Sequence, residues 1–154
     1  MYKIKILDVG CGMGQNLNSI SKKGIYYGID ISSEKIKKNQ TRFPQYNFSI
    51  ADITQKTIFD DNFFNEIYCY DVLEHVDNLD KALIEIYRII NKENGKLIIE
   101  VPTHFTESVF IKLNPKYYEQ VGHKRNLTEK EWINKIKKQN FFLYKKKNIK
   151  FNDF

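Results

Sequence analysis

Apolar residues along this chain fall into short runs of strand length, each followed by a turn and then by a stretch with helical spacing. Ile4, Ile6, Leu7 and Val9 form the first run, and Gln15 to Lys23 can form a helix behind it. Tyr26 to Asp30 reads as a second strand, with a helix beginning near Ser33. Tyr46 to Ile50 reads as a third strand and Phe63 to Tyr70 as a fourth. Lys81 to Ile90 then places Leu83, Ile86, Tyr87 and Ile90 on one face, the stripe of an amphipathic helix, with Gly95 as its stop. Lys96 to Val101 is a fifth strand closed by Pro102, Thr128 and Glu131 have capping-box spacing at the head of a last helix, and Phe141 to Lys147 can form a sixth strand. Strands alternating with helices predict an α/β fold, a mostly parallel sheet wound with helices on both faces.

The turn after the first strand carries glycine at alternate positions: Gly10, Gly12 and Gly14. Glycine lacks a Cβ and tolerates positive φ, so such a turn can bend sharply and let a ligand approach its backbone. A strand, a glycine-rich turn and a helix N-terminus together make a nucleotide-sized site. The spacing is not that of a dinucleotide fingerprint, whose last glycine falls at Gln15 when counted from Gly10 and at Leu17 when counted from Gly12. Asp30 closes the second strand 20 residues after Gly10, where a carboxylate accepts hydrogen bonds from ribose hydroxyls. The alternative for Asp30 is a cap on the helix near Ser33.

The segment Asp8 to Gly14, D-x-G-x-G-x-G, resembles the first motif of the class I S-adenosylmethionine-dependent methyltransferases. The likeness continues through Ala51-Asp52-Ile53 after the third strand and Leu73-Glu74-His75-Val76 after the fourth. That second run is similar to the corresponding segment of type 11 and type 23-like enzymes that methylate small molecules. Gly122 to Thr128 also resembles the stretch before the last helix of this family, so the likeness spans residues 4 to about 147. It implies a Rossmann-like sheet of order 3-2-1-4-5 with S-adenosylmethionine as cofactor. The implied cofactor residues are Asp8, Gly10, Cys11, Gly12 and Gly14 of the turn, Asp30 and Ile31, Asp52 and Ile53 at the adenine, and Asp71 and Leu73. Relatives carry a helix before the first strand and an antiparallel seventh strand at the end. Here Met1 stands three residues before Ile4 and seven residues follow the sixth strand, so the cover helix is expected to be missing and the seventh strand short or missing. An exposed sheet edge invites a second copy or a partner chain.

Methyl transfer from a sulfonium is an in-line displacement in which the cofactor supplies the reactivity and the protein supplies alignment. An alcohol or phenol acceptor also needs a base. His75, just beyond the fourth strand, and His123 are the candidates, ahead of His104, which enters a loop. The plainer reading of His75 is a helix cap or a bond to a backbone carbonyl, and Glu74 either orients an imidazole or caps. Pro102 to Leu127, with Phe105, Phe110, Tyr117 and Tyr118, is long and aromatic for a connection. It either frames the acceptor as an insertion or lid, or covers core.

Length narrows the picture to one domain, residues 1–154, with 102–127 as the acceptor insertion. No apolar stretch approaches the roughly 18 residues of a membrane span. No signal peptide is visible, and Cys11 and Cys69 lack metal spacing, so reduced thiols and a cytoplasmic location are expected. Residues 103–154 hold 12 Lys and Arg against 5 Asp and Glu, within a net charge of +6. That surplus suits either a solvated edge or an anionic partner such as RNA. No hydrolase elbow, phosphate loop or zinc spacing occurs, and no metal is expected. The Asn/Asp-Pro-Pro-aromatic tetrad of amino-methylating nucleic-acid enzymes is absent, so nucleic acid is a less favoured partner. The expectation is therefore an enzyme that methylates a small or medium acceptor at O, N or C. The alternatives are a non-catalytic cofactor-binding or scaffolding subunit that needs a partner, and an RNA methyltransferase.

Overall fold

The structure, a computed structural model, describes residues 3–145. The chain runs β1 (Lys5–Val9), α1 (Leu17–Ile20, continued by a 3-10 turn over Ser21–Lys23), β2 (Ile25–Asp30), α2 (Ser33–Arg42), β3 (Asn47–Ile50) and β4 (Glu66–Tyr70). It continues through α3 (Leu79–Ile89), β5 (Lys96–Glu100), α4 (His104–Leu113), α5 (Tyr117–Val121) and α6 (Glu129–Lys138). The five strands form one sheet of order β3-β2-β1-β4-β5, all parallel. This is the doubly wound order that the family resemblance implied.

Register makes the site. Val9 lies beside Ile29 on one side and Cys69 on the other, so the carboxyl ends of β1, β2 and β4 finish level. The strand order reverses between β1 and β4, and ligands of open α/β sheets bind in the crevice outside that point.

Both faces of β1 are buried, as its continuous apolar run requires. Successive residues point to opposite faces, so Leu7 and Val9 join one core with Ile67, Leu73, Leu83, Ile86 and Trp132. Ile6 joins the other with Leu17, Ile20, Tyr26, Ile36 and Tyr68. Asn78 caps α3 by accepting from the Lys81 amide. The buried carboxylate of Glu85 on the same helix accepts from the Thr57 amide and hydroxyl and pairs with Arg88, which ties the loop after β3 to α3.

Most element ends fall within two residues of the sequence reading, and three differences have a clear physical cause. The first helix starts at Leu17 rather than Gln15, because Gly14 at φ +86° prolongs the turn and the Gln15 side chain accepts from the Met13 amide. Strand β4 starts at Glu66: Asn62 turns at φ +59° and Phe64 pairs only with Ile90 in an isolated bridge. The expected sixth strand is absent over residues 141–145. Asn140 at φ +63° turns the chain, the Phe141 ring packs edge-on against Tyr87 at 5.3 Å, and Phe142 and Tyr144 face solvent. Lys146 and Lys147 and the place of a seventh strand lie outside the described residues. Among the described residues no helix is long and apolar enough to cross a membrane.

Ile86 is fully buried in α3, whereas Ile84 two residues earlier is half exposed. Ile86→Ala should lower the unfolding free energy by about 2–5 kcal/mol, and Ile84→Ala by no more than about 0.5 kcal/mol. Urea titrations of the two variants check this, and equal losses would contradict the placement of that helix face.

Candidate functional site

The glycine turn is tied to the end of β2 by one side chain. The Gly12 amide donates to Asp30 Oδ2 at 2.9 Å, and the Ser32 amide donates to Oδ1 at 2.8 Å. Gly10 and Gly12 have φ of +66° and +54°, and a Cβ on Gly10 would lie 2.5 Å from Val72 Cγ2. Glycine is therefore required at Gly10 both by backbone conformation and by the close approach of the post-β4 segment. Two further bonds complete the clamp: Cys11 N donates to Ile29 O at 2.9 Å, and Asn39 Nδ2 donates to Gly12 O at 2.8 Å. Ser32, not Asp30, caps α2 by accepting from Lys35 N. Each carboxylate oxygen of Asp30 thus holds one backbone N–H and keeps capacity for another donor.

The other expected cofactor residues divide into surface and core. Ile31 follows Asp30 with its side chain 76% exposed. Asp52 is also exposed, accepting from Thr54 N and Oγ1, while the Ala51 amide donates to Asp30 O and keeps that loop beside β2. Asp71, at φ +52°, is exposed at the end of β4, its amide donating to Glu100 O. Gly14 closes the turn near Asn39 and Phe43. In contrast, Ile53 and Leu73 lie in the core, so neither offers a side chain to a ligand at the surface. The Leu73 carbonyl is taken by Arg125. Asp8 is 1% exposed beneath the turn and accepts from the Tyr26 hydroxyl at 2.8 Å. Burial pushes its carboxyl up to about 6. Burial likewise pushes the Cys11 thiol up to about 12, which keeps it protonated and inert.

A second cluster stands at the same edge, built by long-range contacts. The Arg125 guanidinium donates to the carbonyls of Leu73 and Val76, and the Lys124 amide to Glu74 O at 2.8 Å. These bonds stitch residues 124–125 to the segment after β4 and bring His123 beside His75, ring centroids 4.7 Å apart. Gly122, the left-handed C-cap of α5, offers its carbonyl to His75 Nδ1 at 3.2 Å. His123 Nδ1 meets Glu107 Oε2 at 2.7 Å, and the Tyr117 hydroxyl donates to Glu107 Oε1. A carbonyl or carboxylate only accepts, so in both histidines Nδ1 carries a proton and donates it.

Burial drives the His75 pKa below its ordinary value, leaving the ring neutral at pH 7. Glu74 is 2% exposed, and burial raises its carboxyl to about 7. His75 and His123 are thus brought together, whereas His104 bonds to Asn126 O and Ser108 instead. Tyr117 and Tyr118 pack against His123, and Phe110 stacks on Tyr117, while Phe105 is exposed. Sequence reasoning missed Glu107 and Arg125. The sequence signal for Glu107 was no more than an acid among the aromatic residues of the 102–127 connection.

The model for the methyltransferase domain family matches residues 7–99, and the chain belongs to that family. It is 30% identical over 102 residues to the sterol 4-C-methyltransferase strm-1 of Caenorhabditis elegans, covering 62% of this chain and 30% of that one. It is 28% identical over 107 residues to the ubiquinone biosynthesis O-methyltransferase of Rickettsia akari, covering 64% of this chain and 40% of the relative. The chain therefore spans less than half the length of these relatives. In fold it superposes with TM-score 0.83 and 16% identity on a chain from the complex of the Haloferax volcanii Trm112 methyltransferase activator with a methyltransferase, covering 99% of this chain and 67% of that one. A SAM-dependent methyltransferase from Archaeoglobus fulgidus superposes with TM-score 0.73 and 19% identity, covering 91% and 62%.

Asp8 generates a pH test. An acid whose pKa is raised by folding binds its proton more tightly in the folded chain. Its contribution to stability is complete below the unfolded value of 3.8 and is lost as pH rises through about 6. Asp8→Asn keeps an acceptor for the Tyr26 hydroxyl and removes the titration. Between about pH 4 and pH 7 the wild-type unfolding free energy should fall by about 2–3 kcal/mol relative to the variant. Denaturant titrations at several pH values measure this, and parallel curves would show that Asp8 does not titrate there.

Proposed function

We propose that this domain binds S-adenosylmethionine across the glycine turn and Asp30 and moves its methyl group to a small or medium acceptor held at His75 and His123. The observation that carries the reading is the hydrogen bond from the Gly12 amide to Asp30. It puts the turn and a carboxylate with spare acceptor capacity into one wall at the carboxyl edge of the sheet. The residues fit the cofactor: Asp30 for ribose hydroxyls, the exposed Ile31 as an apolar face for a purine, and the exposed Asp52 for an amino group. Asp8, two residues before Gly10, is buried and held by the Tyr26 hydroxyl rather than offered to a ligand.

When bound, the cofactor supplies an electrophilic methyl carbon, and the chain's own part is alignment and proton removal. A neutral His75, its Nδ1–H held by Gly122, presents Nε2 as the base for an acceptor hydroxyl. Tyr117, Tyr118 and Phe110 supply apolar surface beside it.

Calorimetry with S-adenosylmethionine and a label-transfer assay test the two halves separately. Asp30→Ala should weaken donor binding roughly 10- to 100-fold, since hydrogen bonds to a charged group are lost. Gly12→Val, forced to φ +54°, should weaken it as well. His75→Gln should leave donor affinity within about twofold, because the side chain stands on the acceptor side, and should cut turnover at least tenfold. Wild-type affinity in the Asp30 variant would refute the pocket, and unchanged turnover in the His75 variant would make it structural.

A second reading, a domain that works with a partner chain, is favoured by β5. It pairs only with β4 among the described residues and leaves its outer edge open. Light scattering on the purified chain at high concentration, alone and with candidate activator chains, tests it. A strictly monomeric species in every mixture would end this reading.

A further inference from the structure

We propose that Glu74, His75 and His123 form a binding site for a divalent transition-metal cation, with Glu107 and Gly122 setting its geometry. One potential ligand atom from each of the three residues falls within 4.8 Å of the others. That separation needs only a small inward movement to place all three about 2.0–2.2 Å from one ion. Two imidazoles and one carboxylate suit zinc, iron(II), cobalt(II) or manganese(II) rather than calcium.

Three independent features favour a cation here over a casual cluster. Both carboxylate oxygens of Glu74 are buried without a hydrogen-bond partner, and the residue is 2% exposed. Buried carboxylates are paired, protonated or bound to metal, and among the described residues no cationic side chain bonds to this one. Next, each histidine has its Nδ1–H committed, His75 to the Gly122 carbonyl and His123 to the Glu107 carboxylate at 2.7 Å. This is the arrangement that orients metal-ligating histidines and leaves Nε2 free to coordinate. Finally, the carboxylate behind His123 is itself held by the Tyr117 hydroxyl, so the support extends one bond further from the site. Three protein ligands leave open positions on the ion for an oxygen of the acceptor.

The inference deepens the acceptor half of the proposed function and rests on that reading only for this last consequence: with an ion bound, the metal rather than His75 activates a hydroxyl. Binding itself stands or falls without any activity. The test uses the untagged chain, stripped with chelator and titrated with cobalt(II) and zinc(II) by calorimetry, with cobalt(II) absorption as a second readout. We expect one equivalent bound, visible ligand-field bands, and a higher melting temperature with zinc(II). His75→Gln, at a partly buried position, and His123→Gln should abolish stoichiometric binding. Glu107→Gln should weaken it about 10- to 100-fold, and His104→Gln should leave it unchanged. Donor binding measured on the same samples separates this result from failure of the cofactor pocket. Absence of saturable uptake at millimolar metal, or equal affinity in wild type and His75→Gln, would overturn the site.

Discussion

The carboxylate of Asp30 is the joint on which the site turns. A parallel sheet finishes β1 and β2 side by side, but their following loops have no reason to stay together. The loop after β1 is rich in glycine and carries backbone N–H groups that no helix or strand satisfies. Asp30 takes the Gly12 amide on one oxygen and the Ser32 amide on the other, so the two loops become one wall. Asn39 on α2 then holds the carbonyl side of Gly12. Each bond contributes little by itself, yet together they remove the freedom that glycine brings and fix the two loops against each other before any ligand arrives.

The opposite half is organised by a different device. Residues 73–77 leave β4 as irregular chain with several carbonyls pointing away from the sheet, and Arg125 and the Lys124 amide satisfy them. That stitching carries His123 across 48 positions of sequence to lie against His75. It also positions Glu107, which arrives from α4, behind His123. The close approach of Val72 to Gly10 links this half to the first, so the turn, the post-β4 segment and the histidine pair share one edge.

The two halves differ in how far they could be read from sequence. The turn and the acid of β2 were legible because strand, glycine spacing and a carboxylate at a fixed distance are local patterns with local causes. Strand order followed from the family likeness and matched. Depth was harder: Asp8, Ile53 and Leu73 look like ligand contacts by position, but alternation along β1 and the packing of α3 put them in the core. The Phe141 to Lys147 run has strand composition, yet the left-handed Asn140 turns Phe141 onto Tyr87, a tertiary contact that composition does not announce. Glu107 and Arg125 were invisible for the same reason, since each acts through a partner 16 or more residues away.

The His75 ring can serve the site in one of two ways at a time. With Nδ1 committed to the Gly122 carbonyl, only Nε2 has a lone pair, and that pair either takes a proton from an acceptor or holds a cation. Glu74 shifts the balance. A carboxylate shut away from solvent with both oxygens unpaired is stabilised far more by a neighbouring cation than by a neutral imidazole. Burial already raises the Glu74 carboxyl to about 7, and the proposed cation would hold its charged form in place of that proton.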